Sequence, residues 1–431
     1  MIQSFSIIFT IVITSLYFFP IDVTTGVNTK MLIAACGLLV FMIKLAQKKI
    51  FLEKNYIVLS LSALVVSLCG VLSMWYNDTA DTAYATYIVS MWVWLGGAYF
   101  VVNLIKFVHG KDSVLLLCNY LIAICVLQCV LALAIDMNPA VKTFVDSIYP
   151  GGAYYAEHER LYGIGAALDV AGSRFSAALI MITCIGLTYG NKLRKTWLAL
   201  YVLSFLIIAV LGNMVARTTT IGVILSLLYL LFVTSRRGGA DESISKKILW
   251  KWLIVIMLLV VPVIVHYYKS NPIINDNIRF AFEGFFSLVE EGKWEVHSND
   301  MLQNMYVFPD NVKTWIIGDG YFDNPKLTDP YYTGDMRTAF YMGTDVGYLR
   351  FIYYFGVLGL VAFMSFFCKT ARLCMKRLME FKHMFILLLL LNFIIWFKVA
   401  TDIFVVFALF LCLTASKNEE EQQLELSPQK Y

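Results

Sequence analysis

The sequence predicts an all-α polytopic integral membrane protein with about 12 transmembrane helices. Three observations predict it. Of the 431 residues, 59% are hydrophobic and 15% are charged, and the mean hydropathy is +0.71; a water-soluble domain of this size has too little interior to hide so much apolar surface. The apolar residues fall in runs long enough, or nearly so, to cross ~30 Å of hydrocarbon. Basic residues gather in every second connection between runs, as the positive-inside rule requires.

The runs are 4–20, 28–46, 55–75, 84–106, 112–136, 174–190, 196–213, 217–234, 249–268, 346–368, 383–398 and 400–416. No small-residue cleavage motif follows the first, Phe5 to Pro20, which therefore reads as a retained helix. The last two are short and nearly adjacent, which predicts a tight helical hairpin. One set of connections carries Lys44, Lys48, Lys49 and Lys54, then Lys106 and Lys111, and so on through Arg372 and Arg377, for 21 of the 34 basic residues. That set faces the cytoplasm, so both termini do too. Residues 1–416 make one transmembrane domain and 417–431 a solvated cytoplasmic tail.

Two outer segments are long: 136–173, and 269–344 between helices nine and ten. Loops of that length are functional or disordered. "RFAFEGFFSLVEEG" and "TWIIGDGYFDNP" in the second are rich in aromatic and β-branched residues, which predicts folding onto the membrane face. The shorter acidic turn with Asp78 and Asp81 reads as solvated.

Much chemistry is excluded. The nine cysteines form no CxxC pair and no cluster with histidine, so neither a disulfide nor zinc is expected. There is no GxxxxGK[ST], no GxGxxG after a strand and no DxD pair in an outer loop. No cofactor, metal, nucleotide or nucleic-acid partner is expected. Any reaction on the outer face must take a substrate that arrives already activated.

The outer arginines carry the most information. Arg160, Arg174, Arg217, Arg279, Arg337 and Arg350 lie on the side that topology leaves poor in basic residues. Lysine is enough for topology, whereas arginine presents a planar fork of donors that grips phosphate oxygens bidentately. Arg174, Arg217 and Arg350 sit at or just inside helix ends, where a cation is costly unless it is paired or meets water. Arg174 either snorkels to the interface or faces a wet cavity. Arg217, followed by three threonines, must face the outer surface. Arg350 either pairs with a carboxylate to hold helices together or lines a site. Asp345 opens the same helix, where it either caps the helix or serves as a proton acceptor. His158 stands among Glu157, Glu159 and Arg160 in a loop that also holds Asp169; His297 reads as solvated. Lys398 and Asp402, four residues apart, are expected to pair.

Three stretches resemble a known family. "ERLYGIGAALDVAGSRFSAAL", "VARTTTIG", and "WIIGDGYF" followed by "GTDVGYLRFIYYFGVLGL" are similar to segments of the O-antigen and capsule repeat-unit polymerases (Wzy-type) of the O-antigen polymerase/ligase superfamily. The layout, with its large outer loop after helix nine, fits as well. The resemblance implies a metal-independent glycosyltransferase of the bacterial inner membrane. It would join oligosaccharide units carried on undecaprenyl pyrophosphate at the outer face, with a flippase and a chain-length regulator as partners. Arg160, Arg174 and Arg217 would grip the pyrophosphate. Asp345, Asp169 or His158 would act on the acceptor hydroxyl. Arg337, Arg350 and Tyr348 would complete the rim. The related ligases carry a histidine where this chain reads Thr344-Asp345, which favours the polymerase. A ligase of the same superfamily is the near alternative, and a flippase or transporter the distant one. No matching halves of the transporter kind stand out.

Overall fold

The chain was analysed as a computed structural model. It describes residues 2–48, 53–149, 151–152, 161–190, 192–235, 250–251, 254–255, 258, 262, 265–329, 332 and 340–414. His158, Arg160, Arg337, most of the ninth predicted span and the tail 417–431 lie outside the described residues.

The chain is helical almost throughout. Helix α1 (Ile2–Phe18) is followed by a short hairpin, β1 (Asp22–Thr24) and β2 (Val27–Asn28), paired antiparallel with Asp22 opposite Asn28. Helix α2 (Thr29–Ala46) starts where the Asn28 side chain accepts from the Met31 N–H, filling one of the orphan donors of a first turn. Helices α3 (Lys54–Asn77), α4 (Tyr87–His109) and α5 (Val114–Met137) follow, then a short α6 (Pro139–Ile148). Next come α7 (Leu168–Tyr189), α8 (Lys195–Val215) and α9 (Thr219–Ser235).

Seven described helices are long and apolar enough to cross a membrane: α2, α3, α4, α5, α7, α8 and α15, the long helix introduced below. Stretches within α1 and α9 are apolar but shorter. Leucines and valines at the outward positions of α2 and α3, such as Leu39, Met42, Leu61 and Val65, are exposed, as lipid-facing surfaces are. Helix α7 differs: 89% of its apolar window is buried, against 22% for α2. It runs through the interior, and its first two turns carry Asp169 and Arg174.

The described residues of the 269–344 segment form short helices. These are α10 (Pro272–Ala281), α11 (Glu283–Glu290), α12 (His297–Asn304), α13 (Val312–Ile316) and α14 (Pro325–Thr328). Then α15 (Gly347–Arg377) begins, broken within at Phe355 (φ −135°, ψ 17°) and Gly356 (φ +67°, ψ −175°). A break frees carbonyls that apolar surroundings cannot satisfy. Here the "GDG" turn satisfies them. The N–H groups of Asp319 and Gly320 donate to the Tyr353 and Tyr354 carbonyls at 2.6 and 3.1 Å, and Ser73 Oγ donates to the Tyr354 carbonyl at 2.6 Å. The approach is so close that a Cβ on Gly356 would lie 2.1 Å from the Ile316 carbonyl oxygen, and one on Gly318 2.5 Å from that of Tyr354. Both glycines have positive φ, which only glycine adopts freely.

The predicted terminal hairpin is α16 (Lys382–Ile395) and α17 (Phe404–Leu411). All eight residues of α17 are buried, and ~12 Å of helix covers less than half of a ~30 Å core. It is an interior plug rather than a lipid-facing element. The connection 396–403 packs against the first turn of α15, where a Cβ on Gly347 would lie 2.7 Å from the Val399 carbonyl oxygen. That contact sets Lys398 beside the entry to α15. Asp81 overturns the reading of its turn as solvated: it is 2% exposed. Its carboxylate accepts from the N–H groups of Ala83, Phe322 and Asp323 at 3.0, 2.8 and 3.3 Å.

The docked glycine turn is testable. Gly356→Ala introduces both a clash and left-handed strain, so its melting temperature in detergent should fall by the equivalent of ~1–3 kcal/mol or more. Gly26→Ala, also at positive φ but with open space around it, should fall less. Equal melting of both variants would refute the packing account.

Candidate functional site

A chamber of about 180 Å3 lies where the polar ends of several helices meet, lined by Asp169, Arg217, Met301, Leu302, Asp345 and Lys398 among others. Each charged residue comes from a different stretch. Asp169 is in the first turn of α7, where the helix dipole favours a carboxylate. The helix begins earlier than the predicted run at 174. Arg217 lies in the short connection between α8 and α9. Asp345 precedes α15, and Lys398 comes from the α16–α17 connection.

Lys398 Nζ meets Asp169 Oδ1 at 2.8 Å and Thr218 Oγ1 at 3.2 Å. Thr218 also donates to Asp169 Oδ1. The expected Lys398–Asp402 pairing is therefore replaced by a bond across the chamber. The residues between them leave the helical path, so i, i+4 proximity does not apply.

Asp345 does not cap α15. The N-cap is Val346, without a side-chain bond, and the Val346 N–H goes to Thr344 Oγ1 at 3.2 Å. The Asp345 carboxylate turns to Arg350 Nη1 at 3.3 Å and lines the chamber. Burial pushes its carboxyl up to about 6, and Asp169 pushes the same way, while Arg350 and Lys398 pull it back. A carboxylate at that value can exchange a proton near neutral pH.

Arg350, 8% exposed at its side chain, is held through both terminal nitrogens. Its Nη2 meets Asp323 Oδ1 at 2.6 Å and donates to the Phe322 carbonyl at 3.1 Å. Its guanidinium lies 4.0 Å from the Phe322 ring centre and 4.7 Å from that of Phe340. It fixes Asp345 and the loop rather than lining the open space. Tyr348 is not part of the chamber wall: its hydroxyl donates to the Phe393 carbonyl at 3.0 Å, and its ring packs on Trp396 and Phe397.

Arg217 stacks 4.2 Å from the Phe280 ring centre and pairs with Glu283. It walls both the chamber and a wider groove of about 580 Å3 formed with α10, α11 and α12. His297 and Asp300 line that groove, as do Arg279 and Glu290, which form a bidentate pair at 2.9 and 2.6 Å.

Arg174 lies more than a turn deeper along α7 than Asp169 and is 4% exposed. It does not snorkel. Its Nε and Nη1 are enclosed with no hydrogen-bond partner, and its guanidinium faces the rings of Phe18, Phe19 and Trp94 at 5.3–5.9 Å. Ring contacts return ~0.5–2 kcal/mol, against several kcal/mol for desolvating a cation. The rings alone leave this charge uncompensated.

Lys398, Lys30, Glu283 and Asp323 are site-region residues that the sequence reading did not assign. Lys30 had a signal: it is a cation at the end where Arg174 and Arg217 drew attention. Glu283 and Asp323 had none, because loop packing alone brings them to arginines. Comparisons with family models, curated proteins and solved structures found no match.

The Asp345 environment has a stability consequence. A carboxyl raised to about 6 favours the folded state below its ordinary value of ~4, and this contribution is lost as pH rises to about 6 and above. Asp345→Asn removes the titration. From pH 4 to pH 7.5 the wild type should lose ~1–3 kcal/mol of stability relative to Asp345→Asn, read as diverging melting temperatures. Parallel curves would refute the buried environment.

Proposed function

We propose that the chain is a glycosyltransferase that polymerises oligosaccharide repeat units carried on undecaprenyl pyrophosphate, for an O-antigen, capsule or exopolysaccharide. In this reading about 12 helices span the bacterial inner membrane and both termini are cytoplasmic. The chamber then opens on the outer face, with a flippase and a chain-length regulator as partners.

One observation carries the reading. Asp345, Asp169, Lys398 and Arg217, from four stretches far apart in sequence, converge on one chamber at the ends of apolar helices. Three of those stretches are the ones that resemble the polymerase family. The chemistry matches: no nucleotide motif is present in the sequence, so the donor must be preactivated, and a lipid pyrophosphate is such a donor.

The reaction follows from the residues. The acceptor's terminal hydroxyl attacks the donor's anomeric carbon, and the bond from that carbon to the pyrophosphate oxygen breaks, with inversion. Asp345 takes the hydroxyl proton, since its carboxyl sits near 6 and is ionised at neutral pH. Arg217 and Lys398 lie beside it to balance charge that grows on the departing diphosphate. Arg350 positions Asp345 from behind. Arg217 exchanges Glu283 for phosphate, an exchange of one anion for another on the same fork.

Deleting the gene in its host should shorten the surface glycan to single repeat units. Normal long chains would reject the proposal. Long lipid-linked polymer that never reaches its acceptor would indicate a ligase, and units stranded on the cytoplasmic leaflet a transporter. In a purified assay Asp345→Asn should lower kcat by ~10²–10⁴ with protein levels unchanged. The wild-type rate should fall as pH drops below about 6. A rate that rises on acidification would assign Asp345 as an acid instead.

A further inference from the structure

The stretch "RFAFEGFFSLVEEG" is only half accounted for by the groove. Its helix α11 divides lengthwise into two faces. Glu283, Phe286, Ser287, Glu290 and Glu291 line the wider groove. Phe285, Leu288 and Val289 stand at i, i+3 and i+4 on the opposite side. All three are exposed, Val289 at 83%. Trp294, exposed as well, joins them. Its ring meets Phe285 edge-on at 5.1 Å and lies so close to the first turn of α11 that a Cβ on Gly284 would be 2.5 Å from it. Four large apolar side chains thus form one patch with its back to a polar groove. A patch of this kind marks a contact with a membrane or with another molecule.

Three contacts fix the height of α10 and α11 against the bundle. Asn277 of α10 donates to Asp136 Oδ2 at 2.7 Å, and Asp136 lies in the last turn of α5, a helix of membrane-crossing length. Arg217, two residues past the end of α8, which is another such helix, stacks on Phe280 and pairs with Glu283. Tyr268, at the end of the ninth apolar run, stacks on Phe286 at 5.9 Å. Both short helices therefore lie level with the ends of the apolar helices. The exposed apolar surface of α5, with Leu127 and Val130, runs up to Met137, the residue after the Asp136 that holds α10. The patch on α11 continues that surface at the level where hydrocarbon gives way to headgroups.

We propose that the Phe285, Leu288, Val289 and Trp294 face of α11 is seated in the lipid leaflet at the end of the bundle where the chamber lies, between headgroups and acyl chains. Tryptophan concentrates at that boundary, and a helix with a stripe of Phe, Leu and Trp lies in its plane with the stripe buried. The opposite face of α11 is acidic, so the attraction is hydrophobic and needs no anionic headgroup. The lipid surface then supports one wall of the wider groove. This assignment stands on membrane embedding and not on the polymerase reading.

The test reads the surroundings of Trp294 in the full-length chain, in phosphatidylcholine nanodiscs. With lipid brominated near the headgroup end of the acyl chains, the emission of Trp294, taken as wild type minus Trp294→Phe, should fall at least twofold relative to unbrominated lipid. Aqueous iodide should leave it unchanged. Quenching by iodide without a response to bromine would place the face in water and overturn the proposal. A response to neither would mean a protein cover and overturn it as well. Leu288→Glu combined with Val289→Glu should raise iodide quenching of Trp294 at least threefold. A second reading does not need the tryptophan. Val289→p-benzoylphenylalanine alters a side chain that is already exposed, and irradiation should attach phospholipid to it. Glu295→p-benzoylphenylalanine, in the groove, should gain at least tenfold less. Crosslinking of residue 289 to a second copy of the chain, or equal lipid attachment at both positions, would refute the lipid seat. None of these readings uses turnover, so a failed polymerase assay with a quenched Trp294 rejects the enzyme and keeps the surface.

Discussion

Two backbone hydrogen bonds hold the site region in place: those from the Asp319 and Gly320 N–H groups to the carbonyls freed where α15 breaks. A helix broken in apolar surroundings is tolerated only if its orphaned groups find partners. Here the partners are the amides of a loop more than thirty residues upstream, so the break and the loop require each other. Lys313 fastens the turn by reaching Asn77 and Asp319, and Asn77 Nδ2 donates to the Gly318 carbonyl at 3.1 Å. The next residues, Phe322 and Asp323, are then delivered to Arg350, with Asp81 holding their N–H groups. Arg350 in turn orients Asp345. The position of one carboxylate thus descends from the capping of one broken helix.

The contrast between Arg350 and Arg174 shows how the fold spends its polar groups. Both are nearly buried. Arg350 has two carboxylates, a carbonyl and two ring faces around it, which satisfy both terminal nitrogens and leave its Nε without a partner. Arg174 has ring faces and no acceptor at two of its nitrogens. The charge of Arg174 is therefore offset only by ring faces and by the field of Asp402. Removing one partner of a buried pair is strongly destabilising.

The legible part of the structure was the part set by periodicity and composition. Apolar runs located most of the long helices to within a few residues, because burial in lipid demands length and little else, while α7 begins six residues before its run and α15 ends nine after. The short helices between 272 and 328 were foreshadowed by aromatic content, and Asp169, Arg217, Arg350 and Asp345 by charges standing at helix ends. Pairings were not legible. Lys398 was matched to Asp402 by i, i+4 spacing, which fails because the connection there is not helical. Asp81 looked solvated in a polar turn, yet a loop 240 residues on folds over it. Tyr348, adjacent to Arg350 in a suggestive motif, points to α16, since a helix sends neighbouring residues to different faces. The break in α15 was visible only as a glycine in an apolar run, and its meaning depended on the distant "GDG" turn.

The charges of the two polar regions differ in sign, and that difference bears on chemistry. Around the chamber Asp169, Asp345, Asp323 and Glu283 face Arg217, Lys398 and Arg350, four carboxylates against three cations. Lys30 and Arg174 lie near Trp94 instead, at 4.0 and 5.9 Å from its ring centre, and both feel the field of Asp402. A region with one excess negative charge favours taking a proton from a hydroxyl. In the proposed glycosyl transfer the attacking oxygen would need a base and the leaving diphosphate would need cations, for which Arg217 and Lys398 stand beside Asp345. Asp345 would lose its basicity by pairing with those cations. Arg350 prevents this by occupying Asp345 from the protein side with a charge already shared with Asp323. Asp402, whose field Lys30 and Arg174 feel, is tied to the backbone of α17. Asp169 in the first turn of α7 and Arg174 more than a turn further along thus set two polar groups at different depths of one buried helix, the first bonded to Lys398 and Thr218, the second enclosed by rings.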